Sequence, residues 1–245
     1  MTAETAQLVE QFKALVSTTG AIFYEAKDAL DAREYILKLA QERNVKNVVK
    51  SKSSIADDIG LRELLEKAGV KTTEADIGEW IRQLAGTKPI TDKDIKKTAD
   101  LISRATGETI EPKPEAIVNT AQRILRELYI NADLGISEAD VAIAETGTLV
   151  LIGNEGNTRL VAVLPRYHLT LLDSRNLVAT LDDASARIRA SSKKQASHKM
   201  PAYVTYLTGR NTTADIPGAI FARAQGPAEE HIVLVNKAAG RRGAA

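Results

Sequence analysis

Between Asn47 and Leu84 the chain alternates two residue patterns, and this alternation constrains the fold more than any other feature. Asn47-Val-Val-Lys50 reads as a short buried strand, followed by the polar turn Ser51-Lys-Ser-Ser54. The next helix carries Ile59, Leu61, Leu64 and Leu65, with Asp57 or Asp58 as its cap and Gly69 as its stop. Val70 to Ala75 is a second strand, and Asp76 caps a helix carrying Ile77, Trp80, Ile81 and Leu84. Strand, helix, strand, helix implies parallel strands, because parallel neighbours need a crossover whereas antiparallel ones need only a turn. The expected fold class is α/β, with a mixed sheet flanked by helices.

The flanking segments fill in that layer. Residues 4–17 place Leu8, Phe12, Leu15 and Val16 on one helical stripe, and a second helix carrying Ala29, Leu30, Ile36, Leu37 and Leu39 ends near Asn44. Residues 1–45 therefore read as N-terminal helices. Thr91 to Thr106 and Pro114 to Ala132 are two helical patterns around a linker at 106–109, so 86–132 reads as an inserted helical pair. From 139 the composition turns to strand. Val141 to Ala144, Thr148 to Ile152 and Leu160 to Leu164 are apolar runs too short for helices, separated by Thr146-Gly147 and by Asn154 to Asn157. His168 to Asp173 is a further strand and 181–193 a helix. Ala202 to Leu207 and His231 to Val235 complete the sheet, joined by a short helix at about 213–224. One domain over 1–237 with a disordered tail at 238–245 accounts for the chain.

Composition removes whole function classes. Lys and Arg number 33 against 32 Asp and Glu, so no bulk positive field exists to hold nucleic acid. The local cluster Arg187, Arg189, Lys193, Lys194 has no interleaved aromatics and reads as a solvated helix face. With 0 Cys there is no disulfide framework, thiolate zinc site, cysteine-held iron–sulfur cluster or cysteine nucleophile. Only His168, His198 and His231 remain as imidazoles, and no EF-hand loop is present, so no metal site is expected. Glycine-rich dinucleotide and P-loop fingerprints, the zinc-protease helix motif and the serine-hydrolase elbow are all absent. No apolar run approaches the ~18 residues of a membrane span, and the first helix is charged throughout, so a soluble cytoplasmic protein is expected.

The most informative feature for chemistry is where polar residues interrupt apolar strands. Glu145 ends the run Val-Ala-Ile-Ala and precedes Thr146-Gly147. A carboxylate at a strand end of an α/β sheet stands where such sheets place ligands, and partial burial would suit it to acid, base or nucleophile work. A turn Glu facing water explains the same pattern. Asn154-Glu155-Gly156-Asn157 offers backbone amides for an anion, with Arg159 as charge partner, or is simply a hairpin loop. His168 opens a strand and His231 another; each is a proton shuttle or a structural histidine. Lys50 and Lys52 lie at a strand-to-helix turn that either binds an anion or is an ordinary exposed turn, and Asp215 follows a strand as a cap or a site residue.

These islands together resemble the LUD-domain family, the lactate utilisation proteins. The matching stretches are Lys50-Ser-Lys-Ser53, Glu74-Ala-Asp-Ile-Gly-Glu-Trp-Ile81 with Gln83, and Gly135-Ile-Ser-Glu-Ala-Asp-Val-Ala-Ile-Ala-Glu-Thr-Gly-Thr148. They continue with Asn154 to Asn157 plus Arg159, Leu164-Pro165 with His168, Thr213-Ala-Asp-Ile216, and Gly226-Pro227 with His231. The resemblance implies a fold like that of the ribose-phosphate isomerase, glucosamine-phosphate deaminase and CoA-transferase group. It also implies a role in L-lactate oxidation beside iron–sulfur proteins, and the Cys-free chain looks like the short type, often called the C subunit.

On that basis the expected function is a cluster-free subunit of an iron–sulfur lactate-oxidising complex, cytoplasmic and without nucleic acid. Its pocket would hold a small organic anion or a cofactor, lined by Glu145, Thr146, Gly147 and the 154–157 loop. Lys52, Arg159, His168 and Asp215 complete the candidate binding residues. The alternatives are a stand-alone enzyme using Glu145 as a CoA-transferase-like nucleophile or on sugar phosphates, and a regulatory ligand-binding module.

Overall fold

The computed structural model describes residues 2–86, 94–153, 156–194, 201–209, 212–216, 219–222 and 226–236, with backbone alone for 191–194, 212–216 and 219–222. The chain opens with α1 (Ala3–Thr18), β1 (Ile22–Ala26) and α2 (Ala29–Glu42), then β2 (Asn47–Lys50), α3 (Ser54–Asp58), α4 (Leu61–Lys67) and β3 (Lys71–Glu74). Three helices follow, α5 (Ile77–Ala85), α6 (Ile95–Thr106) and α7 (Pro114–Ile130). The second half runs β4 (Leu134–Glu138), β5 (Val141–Ile143), β6 (Thr148–Gly153), α8 (Asn157–Val163), β7 (Tyr167–Leu172), β8 (Leu177–Val178) and α9 (Leu181–Lys194). It closes with β9 (Tyr203–Leu207), β10 (Thr212–Ile216), β11 (Ala219–Ala222) and β12 (Glu229–Val235).

The expected sheet resolves into two. Six strands in the order β1-β12-β7-β4-β2-β3 form a sheet in which every neighbouring pair is parallel. Four strands, β8-β5-β6-β9, form a smaller mixed sheet, and β10 and β11 pair antiparallel. Period-two alternation splits the large sheet between two cores. Val233 and Val235 face α2, α3 and α4 with Ile36, Leu61 and Leu65, while Ile232 and Leu234 face α1 and the small sheet with Phe12, Val16 and Leu149. A third core gathers α5, α6 and α7 around Trp80, Ile102, Leu125 and Tyr129, against Val49 and Val161. Among the described residues no helix is long and apolar enough to cross a membrane.

Several local expectations are corrected. Residues 1–45 contain the edge strand β1 as well as helices, and β4 is a strand that no apolar run announced. In β4 a buried Ser137 hydrogen-bonds His168 of the next strand, so the polar residue belongs inside. The helix after β2 is capped by Ser53, whose hydroxyl accepts from the Ala56 amide, rather than by Asp57 or Asp58. It breaks at Gly60, whose φ of 60° lets α4 start in a new direction.

Leu160 to Leu164 belongs to the end of α8 and is not a strand. A five-residue apolar run fits a buried helix as well as a strand, and tertiary space decides. The backbone of α8 lies directly on Gly135 of β4, where a Cβ would stand 2.0 Å from the Val161 carbonyl oxygen. The described element before that stretch is the strand β6, ending at Gly153, and the one after it is the helix α8, starting at Asn157, where two strands were expected. Where a short helix was expected at about 213–224, the described residues Thr212–Ile216 and Ala219–Ala222 are the antiparallel strands β10 and β11. The inserted pair appears as α6 and α7, while 87–93, His198 and the tail at 238–245 lie outside the described residues.

Candidate functional site

Open parallel sheets bind ligands beyond the carboxyl ends of their strands. At that edge Lys50, the last residue of β2, is 2% exposed. Its Nζ lies 3.1 Å from Glu74 Oε2 at the end of β3 and 3.4 Å from Asp57 Oδ1 on α3. Burial pushes the Glu74 carboxyl above its ordinary pKa, and the Lys50 ammonium opposes that rise. One strand over, Glu138 of β4 accepts hydrogen bonds from Ser53 Oγ at 2.7 Å, Ser54 Oγ at 3.1 Å and the Ile55 amide at 2.9 Å. The Lys50–Ser54 stretch is therefore a clamp that fixes β2, β3, β4 and α3 to one another.

Immediately after Glu74, Ala75 forms the floor of a cavity. Its amide donates to the Lys50 carbonyl at 2.7 Å. Its own carbonyl accepts from Tyr129 Oη at 2.6 Å and faces Asn157 Nδ2 at 3.4 Å. Asp76 caps α5 as expected, its carboxylate accepting from the Glu79 amide at 3.0 Å. The cavity measures about 980 Å³ and is walled by apolar side chains including Ile77, Ile81, Ile117 and Leu160.

Its polar lining is one-sided. Asn119, Gln122, Arg123 and Arg126 follow i, i+3, i+4, i+7 spacing along α7, and Arg82 of α5, Thr98 of α6, Tyr129 of α7 and Asn157 of α8 line the same space. Three guanidiniums and no carboxylate line the space, in a chain whose charges nearly cancel. Arg82 pairs with Glu79 at 2.6 Å and Arg123 pairs with Glu108, whereas Arg126 makes no hydrogen bond or ion pair among the described residues. Such a lining attracts organic anions. Among the described residues no group of three or more His, Asp or Glu is placed to hold a metal ion.

The expected site residues are distributed over several places. Asn157 lies in the cavity. Lys52 is exposed and reaches Glu79, the partner of Arg82, at 3.6 Å. Gly156 adopts φ +72° under the Tyr203 ring, and the Arg159 guanidinium stands over that ring at 5.9 Å. Asn154 and Glu155 lie outside the described residues. Glu145, Thr146 and Gly147 sit at the amino end of β6, and that six-residue strand, about 20 Å long, separates them from Gly153 at its other end, beyond which α8 begins at Asn157. Glu145 Oε1 accepts from the Leu181 amide at 2.7 Å and so holds the first residue of α9. Thr146 Oγ1 donates to Thr148 Oγ1 at 2.8 Å, and Gly147 admits α1, since a Cβ there would stand 3.1 Å from the Val16 nitrogen.

His168 is 1% exposed inside the large sheet, with Nε2 2.9 Å from Ser137 Oγ and Nδ1 3.7 Å from Glu230 Oε1. His231 lies at the amino end of β12, bonded to Tyr35 Oη at 2.8 Å, and burial pushes its pKa below the ordinary value. Asp215 is on the backbone of β10, with its side chain outside the described residues. Arg82, Arg123, Arg126 and Tyr129 were not legible as site residues. Their only signal is a polar helical stripe, which an ordinary solvated face also shows.

Comparison with known proteins bears on this geometry. The family model described as the LUD domain matches residues 9–235. Lactate utilization protein B of Geobacillus kaustophilus (strain HTA426) is 32% identical over 228 residues, covering 90% of this chain and 46% of that protein. The protein of the same name in Bacillus subtilis (strain 168) matches with the same identity and coverage, and that of Oceanobacillus iheyensis is 32% identical over 236 residues, 94% of this chain and 47% of the relative. The chain thus spans about half the length of the curated relatives it matches. A DUF162 family protein from Deinococcus radiodurans superposes with a TM-score of 0.54 at 16% identity, covering 95% of this chain and 98% of that one, a likeness of fold. These curated relatives carry the name B, so the expected resemblance to a C subunit finds no support among them.

Proposed function

The chain belongs to the LUD-domain family, and from that membership we propose that it serves L-lactate utilisation in the cytoplasm as a cluster-free partner of iron–sulfur proteins. The observation that carries this reading is the match to lactate utilization protein B over 90% of the chain. These 245 residues contain 0 Cys, so no cysteine-held cluster can sit within them, and the reading assigns the cluster chemistry to residues outside them. The cation-only cavity beyond Ala75 supports a role in holding an organic anion for that chemistry.

Anaerobic affinity purification from the native host, with mass spectrometry and an iron assay on the eluate, tests it. Cys-rich partners with bound iron and lactate-dependent dye reduction are the expected result. An iron-free homo-oligomer, with lactate oxidation unchanged on deletion of the gene, would overturn it. The CoA-transferase alternative gains no support from this cavity, because Glu145 holds the start of α9 at the amino end of β6, while the nearest cavity residue after that strand, Asn157, lies beyond its other end.

A further inference from the structure

We infer that the cavity beyond Ala75 is a binding site for a phosphate-bearing, cofactor-sized anion with an apolar body, rather than for lactate itself. The inference deepens the anion-binding part of the proposed function and rests on it. Size comes first. A three-carbon hydroxy acid is no larger than a few waters of about 30 Å³ each, and would leave most of a 980 Å³ space unfilled. Cavities of roughly 300–1,000 Å³ match ligands several times larger.

The lining then divides such a ligand in two. Arg123 and Arg126 stand one turn apart on α7, about 5–6 Å between Cβ atoms, and Arg82 faces the same space from α5. A phosphate offers three acceptor oxygens and close to two negative charges, enough for adjacent guanidiniums to share, whereas a single carboxylate is satisfied by one. The ion pair of Arg123 with Glu108 is about half exposed on both sides and exchanges cheaply for a better anion, whereas Arg82 is held by the less exposed Glu79. Arg126 needs no such exchange. The Ile77, Ile81, Ile117 and Leu160 walls give the rest of the ligand an apolar surface that lactate, with a single methyl group, can cover only in small part.

Isothermal titration of the full chain with flavin mononucleotide, coenzyme A, inorganic phosphate and L-lactate tests the inference and separates the two cofactor sources. Saturable one-to-one binding of flavin mononucleotide or coenzyme A, with phosphate a weak competitor and lactate weaker still, is expected. Arg126→Gln should weaken that binding roughly 10- to 100-fold, and Gln122→Glu, which puts a carboxylate into the stripe, should weaken it as well. Arg104→Gln, on α6 outside the cavity lining, should leave it unchanged. Lactate binding as tightly as either cofactor, no cofactor binding at all, or cofactor binding indifferent to both cavity variants overturns it. Co-purification with iron–sulfur proteins is an independent readout, so either reading can fail while the other stands.

Discussion

Replacing Lys50 with Met should remove the cation that makes a buried Glu74 tolerable. The two side chains are 2% and 7% exposed, their charged atoms 3.1 Å apart, and Arg62 reaches the other Glu74 oxygen only at 3.9 Å. Methionine keeps the length of the stem, so the variant changes charge rather than volume. An uncompensated buried carboxylate escapes by taking up a proton, and its ordinary pKa is 4.5. At pH 7 that proton costs about 3.4 kcal/mol, since each unit of pH above the reference is worth about 1.4. At pH 5 it costs under about 1 kcal/mol. The neutral-pH value falls within the roughly 3–5 kcal/mol typical of breaking a buried pair.

The direction in the unaltered protein agrees. Burial raises the folded pKa of Glu74, so the folded state binds more protons and stability falls as pH rises from 4.5 through that higher folded value. Without Lys50 the same fall deepens and extends further up the pH scale. Thermal and urea unfolding of Lys50→Met should therefore show a Tm lower by about 7–14 °C at pH 7, and a much smaller loss at pH 5. Lys50→Met/Glu74→Leu should regain most of the loss, because neither charge is then left buried alone. A neutral-pH Tm loss below about 2 °C, or equal losses at both pH values, would refute the reasoning.

Three further outcomes follow from single contacts. Gly135→Ala should destabilise by at least about 3 kcal/mol in chemical denaturation, because its Cβ would meet the Val161 carbonyl oxygen of α8 at 2.0 Å. Glu145→Ala should cost about 1 kcal/mol through loss of the contact to the Leu181 amide, while cofactor binding by titration stays unchanged; a collapse of binding would return Glu145 to the site. His231, whose folded pKa is lowered chiefly by burial, should titrate below 6.5 by NMR. Because the unfolded state then binds more protons, its contribution is a loss of stability as pH falls from 6.5 through the folded value, and a midpoint above 6.5 would contradict the burial argument.

What could be read without the structure was whatever is encoded in neighbouring residues. The Asp76 cap, the amphipathic stripes of α1, α2 and α7, and the apolar runs of β2, β5, β6, β7 and β12 are local patterns, and they placed the chain in the α/β class. Patterns failed where local preference was neutral. Leu-Gly-Ile-Ser-Glu becomes a central strand only because Ser137 finds His168 across the sheet and Gly135 admits α8. Leu160 to Leu164 closes a helix because that helix has a glycine to rest on.

The candidate site was the least legible part. Its floor is Ala75, its cations come from α5 and α7, and its last polar member, Asn157, follows 82 residues later in the chain. No spacing in the sequence joins residues that meet only once α5, α6, α7 and α8 pack over the carboxyl edge. The sequence by itself determined the layers and the absence of thiol chemistry. The tertiary structure decided which polar residues face a cavity and which cap or tie elements, because burial and charge neighbourhood are properties of packing and not of order along the chain.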